Sequence, residues 1–144
     1  MASEPEHPQV TRRSKYRYCF VSKHHGGGSS GDATWTATQD EEFSVFDTAD
    51  FLEVCDDDGW YYGVLPIDGE LRDIGTWAQQ MAEFPKASLG SPWHGYPIWA
   101  VNDDAPENRS SEKMRPSKTI FEKMEKVGLI SKQQRKRLWK GDHA

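Results

Sequence analysis

Apolar and polar residues follow a strand-like rhythm through the first half of this chain and a helical spacing at its end. Tyr16-Arg17-Tyr18-Cys19-Phe20-Val21 is dense in aromatic and β-branched residues and predicts a strand. The Gly-Ser run of residues 26–31 breaks it, and Ala33-Thr34-Trp35-Thr36-Ala37-Thr38 resumes a β-favouring stretch. Phe51-Leu52-Glu53-Val54-Cys55 and Trp60-Tyr61-Tyr62-Gly63-Val64-Leu65 flank Asp56-Asp57-Asp58-Gly59. Asp-Gly accepts the positive φ that tight hairpins require, so the spacing predicts a hairpin over 51–65. Asp68-Gly69 predicts a further turn before a short strand from Glu70 to Ile74. Thr76 as N-cap, with Trp77, Met81 and Phe84 on one face, predicts a short helix that stops before Pro85. From Pro85 to Pro116 the chain is rich in Gly, Pro, Ser and Asn and reads as an irregular connection, packed by Trp93, Tyr96, Ile98 and Trp99.

The end is helical. Thr119 with Glu122 forms a capping-box pattern ahead of Ile120, Phe121, Met124 and Val127, and Gly128 stands where a helix would end. Ser131 with Gln134 repeats the pattern for a second helix, which Gly141 would close. The expected class is α+β: a small twisted antiparallel sheet of four or five strands with a C-terminal helical hairpin. Residues 1–14 read as a flexible tail, 15–107 as an acidic β-rich body, and 108–144 as a basic hairpin packed on that body as one domain.

Charge changes the picture more than composition does. Residues 1–107 carry 7 basic and 19 acidic side chains, whereas residues 108–144 carry 11 basic and 4 acidic, within a formal net charge of −5. Such asymmetry concerns partners rather than fold. The 144 residues allow one domain of ordinary size. A mean hydropathy of −0.84 is low for a globular chain, and an aromatic fraction of 12% offsets it. Each large ring buries about 150–250 Å², so a compact aromatic core is feasible with few aliphatic residues. No stretch approaches the roughly 20 apolar residues needed to span a bilayer, and the polar start does not read as a secretory signal. The expectation is a cytoplasmic protein with no membrane partner and Cys19 and Cys55 reduced, a strand-to-strand disulfide being the alternative.

No catalytic, metal or cofactor motif emerges. The Gly-Ser run lacks the Gly-Lys-Ser or Gly-Lys-Thr of a P-loop, and His24 and His25, adjacent on a strand, would point to opposite faces. The acidic turn is not an EF-hand, because Val54 and Leu65 occupy positions that must supply oxygen ligands. Glu42-Phe43-Ser44, Leu52-Glu53-Val54 and Asp57-Asp58-Gly59-Trp60-Tyr61-Tyr62-Gly63 resemble the middle of an SH3 domain, where a similar acidic turn and tryptophan border a groove for proline-rich peptides. That resemblance covers residues 42–63 and implies an SH3-like curl of strands. The family's early Tyr-containing motif and its Pro-x-x-Tyr ending have no counterpart here. The terminal helical pair resembles a helix-turn-helix motif around Val127-Gly128-Leu129, with departures at Met124, Gln134 and Arg137.

Three functional readings remain. The leading one is a small non-catalytic interaction module, of inhibitor, immunity or adaptor type, that presents an acidic surface to a basic protein partner. Between residues 40 and 73 twelve carboxylates stand against Arg72 alone, and Glu53, Asp56, Asp57 and Asp58 are its candidate contacts. Trp93, His94, Tyr96 and Trp99 form a second candidate surface, where rings give contact area and His94 a titratable group. The alternative is nucleic-acid binding through Lys132, Arg135, Lys136 and Lys140, with the lysines four residues apart on one helical face. An enzyme using His94 ranks last, since no Ser or Cys is placed beside it as a nucleophile.

Overall fold

In the computed structural model, which describes residues 16, 18–20, 34–99, 116–140 and 142–144, the first regular element begins where Thr38 meets Glu41. Thr38 Oγ1 accepts the Glu41 N–H at 3.1 Å, and Glu41 Oε1 accepts the Thr38 N–H at 2.9 Å, a reciprocal capping box. It starts helix α1 (Gln39–Leu52), whose first turn carries Asp40, Glu41 and Glu42 at the positive end of the helix dipole. The helix stops at Glu53, left-handed at φ 59, where the Val54 N–H returns to Ala49 O at 2.9 Å. It buries Phe43, Val45, Phe46 and Ala49, and with them Glu42, Asp47 and Asp50.

Strand β1 (Tyr61–Gly63) lies directly under α1. A Cβ on Gly63 would come within 2.6 Å of Val45 Cγ1 and 2.9 Å of Val45 O, so this helix-to-strand approach requires glycine. Strands β2 (Pro66–Ile67) and β3 (Glu70–Leu71) form a small ladder around Asp68-Gly69. Strands β4 (Met81–Phe84) and β5 (Tyr96–Ile98) complete a three-stranded antiparallel sheet of order β1-β4-β5, with Tyr61 opposite Phe84 and Glu83 opposite Tyr96. All four residues of β4 are buried. The core is built from rings: Phe84 lies 5.2 Å from Phe46, 5.9 Å from Tyr18 and 6.2 Å from Trp35, and Trp93 lies 5.3 Å from Tyr61.

Helix α2 (Lys118–Lys126) buries Ile120, Phe121 and Met124, and Gly128, at φ 86, turns the chain. Helix α3 (Lys132–Lys140) begins at a second capping box, in which Ser131 Oγ accepts the Gln134 N–H at 3.1 Å and Gln134 Oε1 accepts the Ser131 N–H at 2.8 Å. Phe121 meets Trp139 at 5.6 Å between the helices, and Ile120, Phe121, Met124, Ile130 and Leu138 belong to the same buried core as the sheet.

The protein is thus α+β, with a helical hairpin at its end and the Asp68-Gly69 turn where the sequence puts it. Several local expectations fail. The segment Thr76 to Phe84 is not a helix: Thr76 and Trp77 lie in a turn, Ala78 has φ 61, and Met81–Phe84 is the central strand. Pairing on both sides overrides the helical propensity of Met, Ala and Glu. Phe51 and Leu52 belong to α1, so the acidic hairpin keeps only a short first arm, held by Tyr62 N–H to Val54 O at 3.0 Å and Asp56 N–H to Trp60 O at 2.9 Å. Among the described residues of the expected strands at 16–21 and 33–38, pairing is by bridges alone, Tyr18 to Trp93 and Trp35 to Gly75. Residues 85–116 contain β5. Ser117, not Thr119, precedes α2, without a side-chain cap. Among the described residues the two small sheets close no barrel. Cys19 and Cys55 form no disulfide with each other. Residues 1–14 and the Gly-Ser run with His24 and His25 lie outside the described residues.

Trp60 is half-buried at the edge of the core, whereas Phe84 is wholly enclosed. Phe84→Ala should therefore destabilise the protein by about 3–5 kcal/mol in a denaturant titration, and Trp60→Ala by clearly less. Equal losses would mean that the centre of the core lies nearer the acidic hairpin than β4.

Candidate functional site

The acidic hairpin turn is organised by Asp56. Its Oδ1 accepts the N–H of Asp58 at 2.9 Å and of Trp60 at 3.0 Å, so this carboxylate shapes the turn. Asp57 and Asp58 are exposed at the tip and Glu53 is exposed at the end of α1. The turn leaves the sheet beside the loop that follows β4, since Tyr61 pairs with Phe84. A Cβ on Gly59 would lie 3.1 Å from Lys86 Cδ, which puts the aliphatic stem of Lys86 against the turn. Three residues further, Leu89 projects wholly into solvent, at 105% relative exposure, in a turn closed by Gly90. Charge counting along the sequence does not point to Leu89; a single leucine between turn-forming Ser88 and Gly90 was the available signal.

Four carboxylates of the body leave the surface. Glu42, Asp47, Asp50 and Glu83 are buried, which takes Glu42, Asp47 and Asp50 out of the acidic surface expected between residues 40 and 73. Burial of a carboxylate is tolerated where donors meet it. Glu42 Oε2 accepts from the Tyr18 hydroxyl, and Asp50 Oδ2 accepts the Tyr16 N–H at 3.1 Å. Glu83 is bridged by two phenols, accepting from Tyr96 at 2.9 Å and from Tyr62 at 3.2 Å, and the Tyr62 oxygen also lies 3.3 Å from Asp56 Oδ2.

The aromatic segment is part of this construction. Trp93 is buried against Phe46 and Tyr61, and Tyr96 is spent on Glu83. His94 and Trp99 are half-buried on either side of β5. The four residues are not gathered into one exposed face.

On α3, Leu138 points inward and Gln134 Nε2 donates to Gly69 O at 3.0 Å, tying the helix to the β2–β3 turn. Arg135 is half-buried and pairs with Glu125, so it stands apart from the exposed lysines with which the sequence grouped it. Lys132, Lys136 and Lys140 are exposed. Beyond α3, Gln80 holds residue 144, donating to its carbonyl at 2.7 Å and accepting its N–H at 2.8 Å. His143 Nε2 lies 2.6 Å from Asp73 Oδ1 beside a groove of about 440 Å³ that Glu41, Leu65, Leu71 and Arg72 also line.

Among the described residues no group of three or more His, Cys, Asp or Glu is placed to hold a metal ion, and no helix is long and apolar enough to cross a membrane. Comparison with protein-family models, curated proteins and solved structures finds no match to this chain.

Burial, then the neighbouring Glu42, pushes the Tyr18 phenol well above its usual range, and burial with Glu83 and Asp56 does the same for Tyr62. In the unfolded chain both would ionise near pH 10. Above that pH the native state holds more protons than the unfolded state, so stability falls as pH rises. Denaturant titrations from about pH 9 to 11 should show the loss growing by up to about 1.4 kcal/mol per pH unit for each retained proton. Tyr62→Phe should remove one share of that slope, and an unchanged slope in the variant would mean that Tyr62 ionises freely in the folded protein.

Proposed function

We propose that this protein is a small non-catalytic interaction module that presents the acidic end of its three-stranded sheet to a basic protein partner, as an inhibitor, immunity protein or adaptor does. The observation that carries the reading is that exposed Asp57 and Asp58 form the tip of a turn at one end of the β1–β4 pair, against the stem of Lys86, and that the loop carrying Lys86 also holds the fully exposed Leu89. Exposed carboxylates select a partner of opposite sign, and an exposed apolar side chain offers that partner a contact that excludes water. Glu53 adds a further exposed carboxylate at the end of α1. The buried acids support the reading from the other side, because they serve the fold and leave the tip residues without an internal task. Asp56 is a shaping residue of the turn rather than a contact.

Nuclease-treated extract passed over the immobilised full chain should yield a basic protein. The variant Asp57→Asn/Asp58→Asn/Leu89→Ser should lose it while retaining a wild-type melting curve. Loss of the two charges alone should lower the association rate and its dependence on salt more than it raises the dissociation rate. Recovery of the same partner by the triple variant would overturn the proposal.

A further inference from the structure

The outward side of α3 consists of Lys132, Gln133, Lys136, Arg137 and Lys140, all exposed, so four of its five residues are cations. None of the four has an ion-pair partner among the described residues, although the same helix pairs Arg135 with Glu125. The arrangement opposes helix stability on two counts. Lysines four residues apart repel one another along the face. Lys132 also occupies a first turn that contains no acidic residue, next to the positive end of the helix dipole. Packing does not need these charges, because Leu138, Trp139 and the Gln134–Gly69 hydrogen bond hold the helix from its other side.

We infer that the outer face of α3 is a binding surface for the phosphate backbone of nucleic acid, read through Lys132, Lys136, Arg137 and Lys140. The three lysines span about 12 Å of helix, a length of duplex axis along which each strand presents about three to four phosphates. A polyanion suits this face better than an acidic protein. Long exposed side chains gain little from single ion pairs in water, whereas each phosphate neutralised on a nucleic acid releases condensed counterions. The net charge of −5 is no bar, since charges beyond about 8 Å are largely screened at physiological ionic strength. The backbone contacts carry no sequence preference, because no side chain of this face is placed to read bases. This surface is separate from the acidic sheet end, and either can fail alone.

The test is fluorescence anisotropy of the full chain with a labelled duplex DNA and a labelled single-stranded RNA, at about 50 and 200 mM salt. Four contacts predict a log–log salt slope near −3.6 on the duplex and −2.8 on the single strand, which is about a 150-fold and a 50-fold loss over that interval. Lys132→Gln/Lys136→Gln/Lys140→Gln should flatten either slope by about 2–3 and weaken binding at the lower salt at least about tenfold. Its melting curve should match or exceed the wild type, and Lys136→Glu, a single exposed mid-helix change, supplies the comparison if the triple variant unfolds. The tighter binding at the lower salt identifies the preferred polymer. Asp57→Asn/Asp58→Asn should bind at least as tightly as wild type. Absence of binding to both polymers at the lower salt, binding that the lysine changes leave intact, or equal binding to polyglutamate would overturn the inference.

Discussion

The ring of Phe84 is met at once by Phe46 of α1, by Tyr18 and by Trp35, so three separate stretches of chain close on one side chain of the central strand. Everything else in the body adjusts to that meeting. Strand β4 has partners on both edges and is buried throughout, and Gly95, just before β5, must lack a side chain because a Cβ there would lie 2.2 Å from Phe84 Cδ1. The carbonyl of that glycine accepts the indole N–H of Trp35 at 2.9 Å, so the close approach also satisfies a buried donor. A chain poor in aliphatic residues has few other ways to fill a core of this size.

A core made of rings brings polar ends inside, and this constraint explains the acid content of the body. Tyr18 and Tyr62 each carry a hydroxyl that needs an acceptor once water is excluded, and Glu42 and Glu83 provide it, Glu83 also accepting from half-buried Tyr96. The carboxylates are in turn made tolerable by the phenols. Removing one partner leaves the other unmatched in a low-dielectric setting, so such pairs specify a single arrangement more than they add stability. The acidic bias of the sequence therefore has two sources: structural acceptors in the core, and exposed carboxylates at the sheet end.

The turns and the Ser131–Gln134 cap were legible because their chemistry is local, whereas the expected caps at Thr76 and Thr119 do not form. Asp58-Gly59, Asp68-Gly69, Gly128 and the Ser131–Gln134 box each act within a few residues, and each stands where the sequence puts it. Helix α1 was hidden because its buried side mixes Phe43 and Phe46 with Glu42, Asp47 and Asp50, which erases the apolar stripe that marks a helix. Strand β4 was hidden for the opposite reason, since Met-Ala-Glu-Phe suits a helix until it is paired on both edges. The exposed tips of the acidic turn and the basic stripe of α3 followed directly from charge spacing. The burial of Trp93 in the core and the use of half-buried Tyr96 on Glu83 did not, because rings at a surface and rings in a core look alike in one dimension.

The body and the helical hairpin carry opposite charge, yet the contacts between them are mostly neutral. Gln134 reaches Gly69, Gln80 holds residue 144, and Leu138 and Ile130 join the apolar core, while His143 with Asp73 forms an exposed pair at the margin. Docking through amide hydrogen bonds and apolar burial leaves Lys132, Lys136 and Lys140 of the hairpin and Asp57 and Asp58 of the body in solvent. Docking through ion pairs would instead have paired Lys132, Lys136 or Lys140 with body carboxylates, at a gain of only about 0–1 kcal/mol for each exposed pair. The neutral seam thus preserves two surfaces of opposite sign on one small protein. It keeps repulsion within the α3 lysine row, a repulsion that an anionic ligand would relieve and that water alone leaves in place.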